Sequence, residues 1–302
     1  MKKIVVTKDL GLSSDQRKRL ESLGDVIYHD DLAKSPEEWL ERCQGADIIL
    51  AGKEDLKKGM DKIKNAFFSL RFVGISWIDK EKMKENNNIV SYCPGCNKEA
   101  VSEWAIAMML VLLRNLNEII NIEDISADKK PETTLGTMGK KVTILGQGNI
   151  GARIGKVCEA LDMGVRFFKR GDDLLESVKE ADVVFNSLSL KSDSEGLLNK
   201  EFFQSLKKGS FFISFVSRKI FDTDAMIEVL DNNILKGAAI DAGGIEIGDG
   251  ADPYYMKLVK HPKILATPHI AYDTDVTDRV ANDGMIDNVE AYLAGKPINL
   301  VE

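Results

Sequence analysis

The sequence predicts an α/β protein with two doubly wound parallel sheets, and three observations carry that expectation. Short β-rich runs alternate with helical runs along nearly the whole chain, the pattern of βαβ units. The alternation comes in two series, split by a long apolar helical stretch, Glu99 to Ile120, and a polar connector, Asn121 to Gly139. A length of 302 residues fits two domains at roughly 150 residues each.

In the first series, Lys3 to Thr7, Asp47 to Ala51 and Arg71 to Ile75 read as strands, with helical stretches at Ser14 to Leu23 and Leu56 to Ala66. The second series begins at Lys141 to Leu145. It continues through Val165 to Phe168, Asp182 to Phe185, Phe211 to Ser214, Ala238 to Ile240 and Ile264 to Ala266. A last helix, Asp273 to Leu293, ends at Gly295 with Pro297 just beyond, which is good C-terminal punctuation. The expected division is residues 1–97 plus 273–302 as one domain and 98–272 as the other.

Composition narrows the function classes. Hydrophobic residues make up 44% and charged residues 29%, ordinary for a globular chain. With 41 Lys+Arg against 48 Asp+Glu the net charge is −7, so no basic excess tracks a phosphate backbone and no nucleic-acid partner is expected. The longest apolar stretch, Trp104 to Leu113, is too short to span a membrane. The N-terminus shows no signal-peptide pattern, and four cysteines make no disulfide framework. These features predict a soluble cytoplasmic protein.

The strongest motif is Gly146-Gln147-Gly148-Asn149-Ile150-Gly151, which follows the strand KVTIL and opens a helix. That context turns a weak pattern into a dinucleotide-binding expectation for residues 98–272, which leaves 1–97 plus 273–302 as the expected substrate-binding (catalytic) domain, with an interdomain cleft for substrate. Gly146 would make the tight turn, Gly148 would let the backbone approach a pyrophosphate, and Gly151 would let the helix pack close. The helix N-terminus would supply amide donors and positive dipole. The next strand ends Phe168-Lys169-Arg170, where an acidic residue would serve a ribose 2′-hydroxyl. Two cations there point to a 2′-phosphate, so NADP(H) is expected to be preferred and NAD(H) possible; Asp172 or Asp173 doing the acidic residue's job is the alternative.

Three histidines occur: His29, His261 and His269. His269, in Thr267-Pro-His-Ile-Ala271, follows a strand, where α/β sheets present ligand-contacting groups. Arg218 and Glu246 also follow strands. The segments GQGNIGARIG, EGLLNKEFFQSLKKGSFFISFVSR, GAAIDAGGIE and HPKILATPHIA, with IDKEKMKENNNIVSYCPGCNKEAVSEWAIAMML earlier, resemble the D-isomer-specific 2-hydroxyacid dehydrogenase family over nearly the whole chain. The resemblance implies Rossmann-like domains and a nicotinamide-dependent oxidoreductase of small 2-keto and 2-hydroxy acids. It places Arg218 as the substrate-carboxylate arginine, Glu246 as the histidine-orienting acid and His269 as the acid/base, with Asp241 as a further coenzyme contact. Glu246 and His269 stand 23 residues apart (269 − 246), as in the family. The residue types suit the chemistry. An imidazole can give and take the proton of the 2-oxygen, a carboxylate can fix its tautomer, and a guanidinium fork can grip a carboxylate.

Departures from the family lie in Phe72-Val-Gly-Ile-Ser-Trp77, a shortened version of the turn that offers amides to the substrate carboxylate; Gly74, Ile75 and Ser76 are the candidates here. Trp77 would narrow the pocket or belong to the core. Lys219 replaces the usual glycine after the arginine, and the connector that helps form a dimer arm in relatives is shorter. A homodimer is still expected. Cys93-Pro-Gly-Cys96 matches C-x-x-C but has no second pair, so no metal site is expected. A dinucleotide-sensing binding protein or corepressor-like scaffold of the same fold is the competing reading.

Overall fold

β-Branched and aromatic runs fold into eleven strands in two parallel sheets in this computed structural model, which describes residues 1–52, 56, 59–75, 77–120, 134–243, 245 and 252–301. The chain divides into two compact units, Met1–Asn97 with Asp273–Glu302, and Lys98–Tyr272.

The first unit holds β1 (Lys3–Val6), β2 (Asp25–Tyr28), β3 (Ile48–Ala51), β4 (Phe67–Leu70) and β5 (Ile89–Ser91) in the order β2-β1-β3-β4-β5. Strand periodicity sends alternate residues to opposite faces. Ile48 and Leu50 join Ile4, Val6 and Phe67 beneath Met285, Ile286 and Val289 of the C-terminal helix Asp275–Leu293. Ile49 and Ala51 join Phe68, Leu70 and Trp39 on the other face. Polar contacts fix the C-terminal helix to this unit: Ser69 Oγ donates to the Met285 carbonyl at 2.9 Å, and Arg19 donates to Glu290 through two bonds of 2.6 Å.

Three expectations need correction. The strand is Phe67–Leu70, and Arg71 to Ile75 is the turn that comes after it. The run FFSLRFVGI is β-rich throughout, but neighbours decide where pairing stops: Phe67 registers with Ile48 and Ile89, and the ladder ends by Leu70. Arg71 leaves the sheet to donate to the Leu10 carbonyl and pair with Asp278. Of the helical stretch Leu56 to Ala66, Leu56 is helical and Met60–Lys62 form a one-turn 3-10 helix, but Ile63 to Ala66 are not helical. The long apolar helix runs Lys98–Leu113; Asn115 in the left-handed region then starts a short Leu116–Ile119 helix.

The second unit holds β6 (Lys141–Leu145), β7 (Gly164–Phe168), β8 (Val183–Asn186), β9 (Ser210–Ser214), β10 (Leu235–Asp241) and β11 (Ile264–Thr267) in the order β11-β10-β9-β8-β6-β7. β8 and β9 are buried along their whole length, as befits a sheet covered on both faces. Phe185, Phe211 and Ile213 face a core with Met109, Ile144, Ile154 and Cys158; Val184 and Phe212 face one with Phe202, Phe203 and Met226. The strand order reverses between β6 and β8, and α/β sheets bind ligands at the carboxyl ends of strands beside such a reversal.

Candidate active site

The glycine-rich turn lies at that reversal. Gly146, just past β6, has φ +101°, a region that favours glycine, and a Cβ there would come within 2.8 Å of the Ser187 carbonyl oxygen beyond β8. A Cβ on Gly151 would overlap the Gly146 carbonyl oxygen and press on Ile144 and Ser187. Gly148 faces open space and is the N-cap of the helix Asn149–Ala160, with no side chain capping it. The first-turn amides of that helix therefore lack a side-chain acceptor, and the turn before them is stripped of side-chain bulk. Gln147, Gly148 and Asn149 are exposed and Ile150 is half-buried. This cradle fits the pyrophosphate of a nicotinamide dinucleotide. Gly155 adds to it: a Cβ there would meet the Phe167 ring, so the helix seats tightly on β7. The ten-residue run GQGNIGARIG contained that signal.

At the end of β7, the Lys169 N–H donates to Asp172 Oδ2 at 2.8 Å and Asp172 N–H returns a bond to the Lys169 carbonyl at 3.0 Å. Arg170 pairs with Asp193 on the surface. Arg153 points away from this corner: its Nε donates to Ser102 Oγ at 3.0 Å, with Glu103 at 3.5 Å.

Arg218, Asp241 and His269 stand at or just past the ends of three neighbouring strands, β9, β10 and β11, along the carboxyl edge of the same sheet. Arg218 opens a one-turn 3-10 helix, Arg218–Ile220, capped by Ser217, which accepts from the Lys219 N–H at 3.3 Å. Ser217 bridges to Gly243 and Ile220 is fully buried, so the backbone under Arg218 is anchored while its side chain is exposed. Its guanidinium carbon stands 4.9 Å from the centroid of the Tyr254 ring.

Asp241, an expected coenzyme contact, is 2% exposed and turns its carboxylate on the His269 loop. Oδ1 accepts from Thr267 Oγ1 at 2.6 Å and the Ile270 N–H at 2.9 Å; Oδ2 accepts from the Ala271 N–H at 3.0 Å. A buried carboxylate needs such donors, and charge-assisted bonds of this kind contribute about 1.5–3 kcal/mol each. Together they hold His269 at φ +56°, a region non-glycine residues avoid at about 1–2 kcal/mol. The imidazole is half-buried and meets Tyr272 edge-on at 5.7 Å. Glu246 and Ser76 lie outside the described residues.

In the first unit, Gly74 and Ile75 sit in the turn after β4. The Gly74 carbonyl accepts from Trp77 Nε1 at 2.9 Å, and the Ile75 carbonyl from the Ile78 N–H at 3.1 Å. Trp77 is half-buried and packs with Phe72 against the core face of Ile49 and Phe68, so it belongs to the core and also closes the turn. Cys93 and Cys96 are buried thiols beneath the C-terminal helix; Cys93 donates to the Ala281 carbonyl, and burial pushes it up to about 12, an unreactive state near neutral pH.

Sequence reasoning missed Tyr254, whose only signal was an aromatic pair directly after Asp252-Pro253, and the clamp between Asp241 and Thr267, two residues 26 apart in sequence that register puts side by side.

Comparison with known proteins is consistent across the chain. The model of the D-isomer specific 2-hydroxyacid dehydrogenase NAD binding domain matches residues 106–271, more than half of the chain. The chain is 25% identical to a hydroxypyruvate reductase of Blautia hydrogenotrophica, covering 94% of each protein. It is 27% identical over 234 residues to a D-lactate dehydrogenase of Streptococcus agalactiae, covering 68% of this chain and 69% of the other. In fold it resembles an acyclic imino acid reductase in complex with NADPH and D-Arg, with TM-score 0.81 and 22% identity over 99% of this chain and 100% of that one. With the glycine cradle at the strand reversal, these matches identify the chain as a member of the D-isomer specific 2-hydroxyacid dehydrogenase family, a nicotinamide-dependent oxidoreductase that transfers hydride between coenzyme and 2-keto or 2-hydroxy acids.

Proposed function

We propose that this enzyme reduces small 2-keto acids to D-2-hydroxy acids and prefers NADPH to NADH. The observation that carries the reading is the buried Asp241 carboxylate locking the Thr267–Ala271 turn, which holds His269 at the carboxyl edge that also carries Arg218 and the glycine cradle. When bound, the nicotinamide supplies or accepts the hydride. Arg218 grips the substrate carboxylate through two N–H groups of its fork and orients the carbonyl. His269 as imidazolium donates the proton to the carbonyl oxygen; as imidazole it takes it back in oxidation. Glu246, assigned from its place in the sequence, fixes the imidazole tautomer. Asp241 serves the site through the turn it holds.

Unit 98–272 takes the dinucleotide, and the unit of residues 1–97 with 273–302 takes the substrate-domain role. The coenzyme preference rests on the exposed Lys169 and Arg170 at the end of β7. Arg170 is already paired with Asp193, and solvent screens both cations, so the preference is about tenfold. We further propose a cytoplasmic homodimer. Among the described residues no helix is long and apolar enough to cross a membrane. Ile106, Ala107, Leu110 and Val157 line a surface cavity of about 250 Å³ suited to a second copy.

Loss of nicotinamide absorbance with glyoxylate, hydroxypyruvate and pyruvate tests the assignment. Turnover of at least one is expected; coenzyme binding with no turnover of any would favour a dinucleotide-sensing scaffold. On one substrate, kcat/KM for NADPH should exceed that for NADH, and Lys169→Asp with Arg170→Ala should reverse the order. Equal values would overturn the coenzyme assignment.

A further inference from the structure

Arg218 is exposed, and no carboxylate among the described residues pairs with it. A long cationic side chain in that situation samples many rotamers unless something holds it. The feature that meets it is aromatic: the Tyr254 ring, 4.9 Å from the guanidinium carbon to the ring centroid. We propose that Tyr254 is a positioning residue that holds the Arg218 guanidinium ready for a substrate carboxylate. The inference rests on the reading of Arg218 as the carboxylate clamp.

Tyr254 is built as a platform. It stands in the first turn of the helix Pro253–Val259, where Pro253 presets the backbone and Asp252 Oδ1 accepts from the N–H groups of Tyr254 and Tyr255 at 2.8 and 3.0 Å. Its ring packs against the core cluster that contains Ile220 and Phe221, the residues that also anchor the backbone just after Arg218. The ring and the arginine backbone thus share one rigid support. The Tyr254 hydroxyl is buried beside Thr223 without a well-formed hydrogen bond, and burial pushes it up to about 12, so it stays neutral near pH 7. What Tyr254 offers Arg218 is therefore its face. A ring face attracts a guanidinium through its quadrupole while leaving the in-plane N–H fork free, whereas a carboxylate partner would compete with the substrate for that fork.

The test uses the whole enzyme with whichever of glyoxylate, hydroxypyruvate or pyruvate it turns over best. Tyr254→Leu keeps an apolar side chain but removes the face. It should raise KM for the keto acid by about 3- to 30-fold, the range of a cation–π contact, with kcat within about twofold and coenzyme affinity and Tm near wild type. Tyr254→Phe keeps the face and should restore KM to within about twofold of wild type. Unchanged KM in Tyr254→Leu, or an equal loss in Tyr254→Phe, would overturn the proposal. Should Tyr254→Leu fail to fold, Tyr254→Met carries the same expectation. Arg218→Lys separates the two levels. If it raises KM while Tyr254→Leu does not, the platform is wrong and the clamp stands; if Arg218→Lys leaves KM unchanged, the clamp itself is wrong and the platform falls with it.

Discussion

The two sheets start alike and diverge after their first strand. In both, the first strand pairs with the second and third, and an aspartate just before the third strand ties the starts together. Asp47 accepts from the Lys3 N–H at 2.9 Å and from Lys2 Nζ at 2.7 Å; Asp182 accepts from the Lys141 N–H at 2.8 Å and from Lys207 Nζ at 2.8 Å. Beyond the first strand the units part. After β1, Ser13 and Gln16 form a reciprocal capping box, so the protein itself satisfies the start of the helix Ser14–Glu21. After β6, Gly148 leaves the corresponding helix start uncapped, and Gly146 and Gly151 clear the space before it. One topology therefore gives a closed helix start in one unit and an open, uncapped one in the other. The difference lies in a handful of side chains.

The largest expected effect contrasts two histidines that stand just past strands. His269→Ala should lower turnover about 100-fold or more while coenzyme affinity stays near wild type, the usual scale for a general acid. His29, half-buried after β2 and depressed below the usual histidine range by burial and by Arg42, should be silent: His29→Ala leaves steady-state kinetics unchanged. A comparable loss in both variants would mean the first sheet's edge also carries chemistry.

Removing the Ser13 hydroxyl should matter only for stability. Ser13→Ala is expected to lower the unfolding free energy by about 1 kcal/mol, read by thermal or denaturant unfolding, with coenzyme affinity unchanged. A shift in affinity would erase the distinction between a self-capped and a ligand-capped helix.

The paired aspartates give the smallest and most symmetric effect. Lys2 and the Lys3 N–H hold Asp47 below the usual carboxylate range. Burial pushes Asp182 up, but Lys207 and the Lys141 N–H outweigh it and leave the group low as well. A carboxylate whose folded pKa is depressed adds stability above its unfolded pKa, near 4, and loses that contribution as pH falls through the folded value. Both groups are partly exposed, so Asp47→Asn and Asp182→Asn should each destabilise by no more than about 1 kcal/mol at pH 7 and by less at acid pH. Unfolding curves at pH 7 and near pH 3 check this; an effect in one unit alone would end the equivalence.

Much of the architecture is legible in the amino-acid order alone. The alternation of runs announces two parallel sheets, and the glycine spacing after KVTIL announces the cradle. The start and end of β4 are not legible, because FFSLRFVGI is uniformly β-prone and only pairing with Ile48 and Ile89 ends the strand. Lys98–Leu113 stops where Asn115 turns left-handed, a local event inside a run whose apolar pattern continues to Ile120. At the site, residue types expose Arg218 and His269. Their supports, Tyr254 under one and Asp241 behind the other, depend on register and on which strand lies next to which, and a single sequence encodes neither locally. The shared aspartate is present as Ala46-Asp-Ile-Ile-Leu and Ala181-Asp-Val-Val-Phe, a repeat too short to stand out by itself.

We propose that the helix start after β6, and not its counterpart after β1, holds the dinucleotide. Direct titration of NADPH, followed by its fluorescence, against wild type, Gly151→Ala and Gly11→Ala puts this to the test. Gly11 also has a positive φ, +65°, but no atom lies within 4 Å of a Cβ placed there, so alanine strains the backbone by about 1 kcal/mol without touching the cradle. Wild-type affinity is expected for Gly11→Ala. Binding at least about 30-fold weaker is expected for Gly151→Ala, because its Cβ collides with the backbone of the turn. Affinity within about threefold of wild type in a folded Gly151→Ala protein, a difference of about 0.6 kcal/mol or less, would refute the assignment of the cradle.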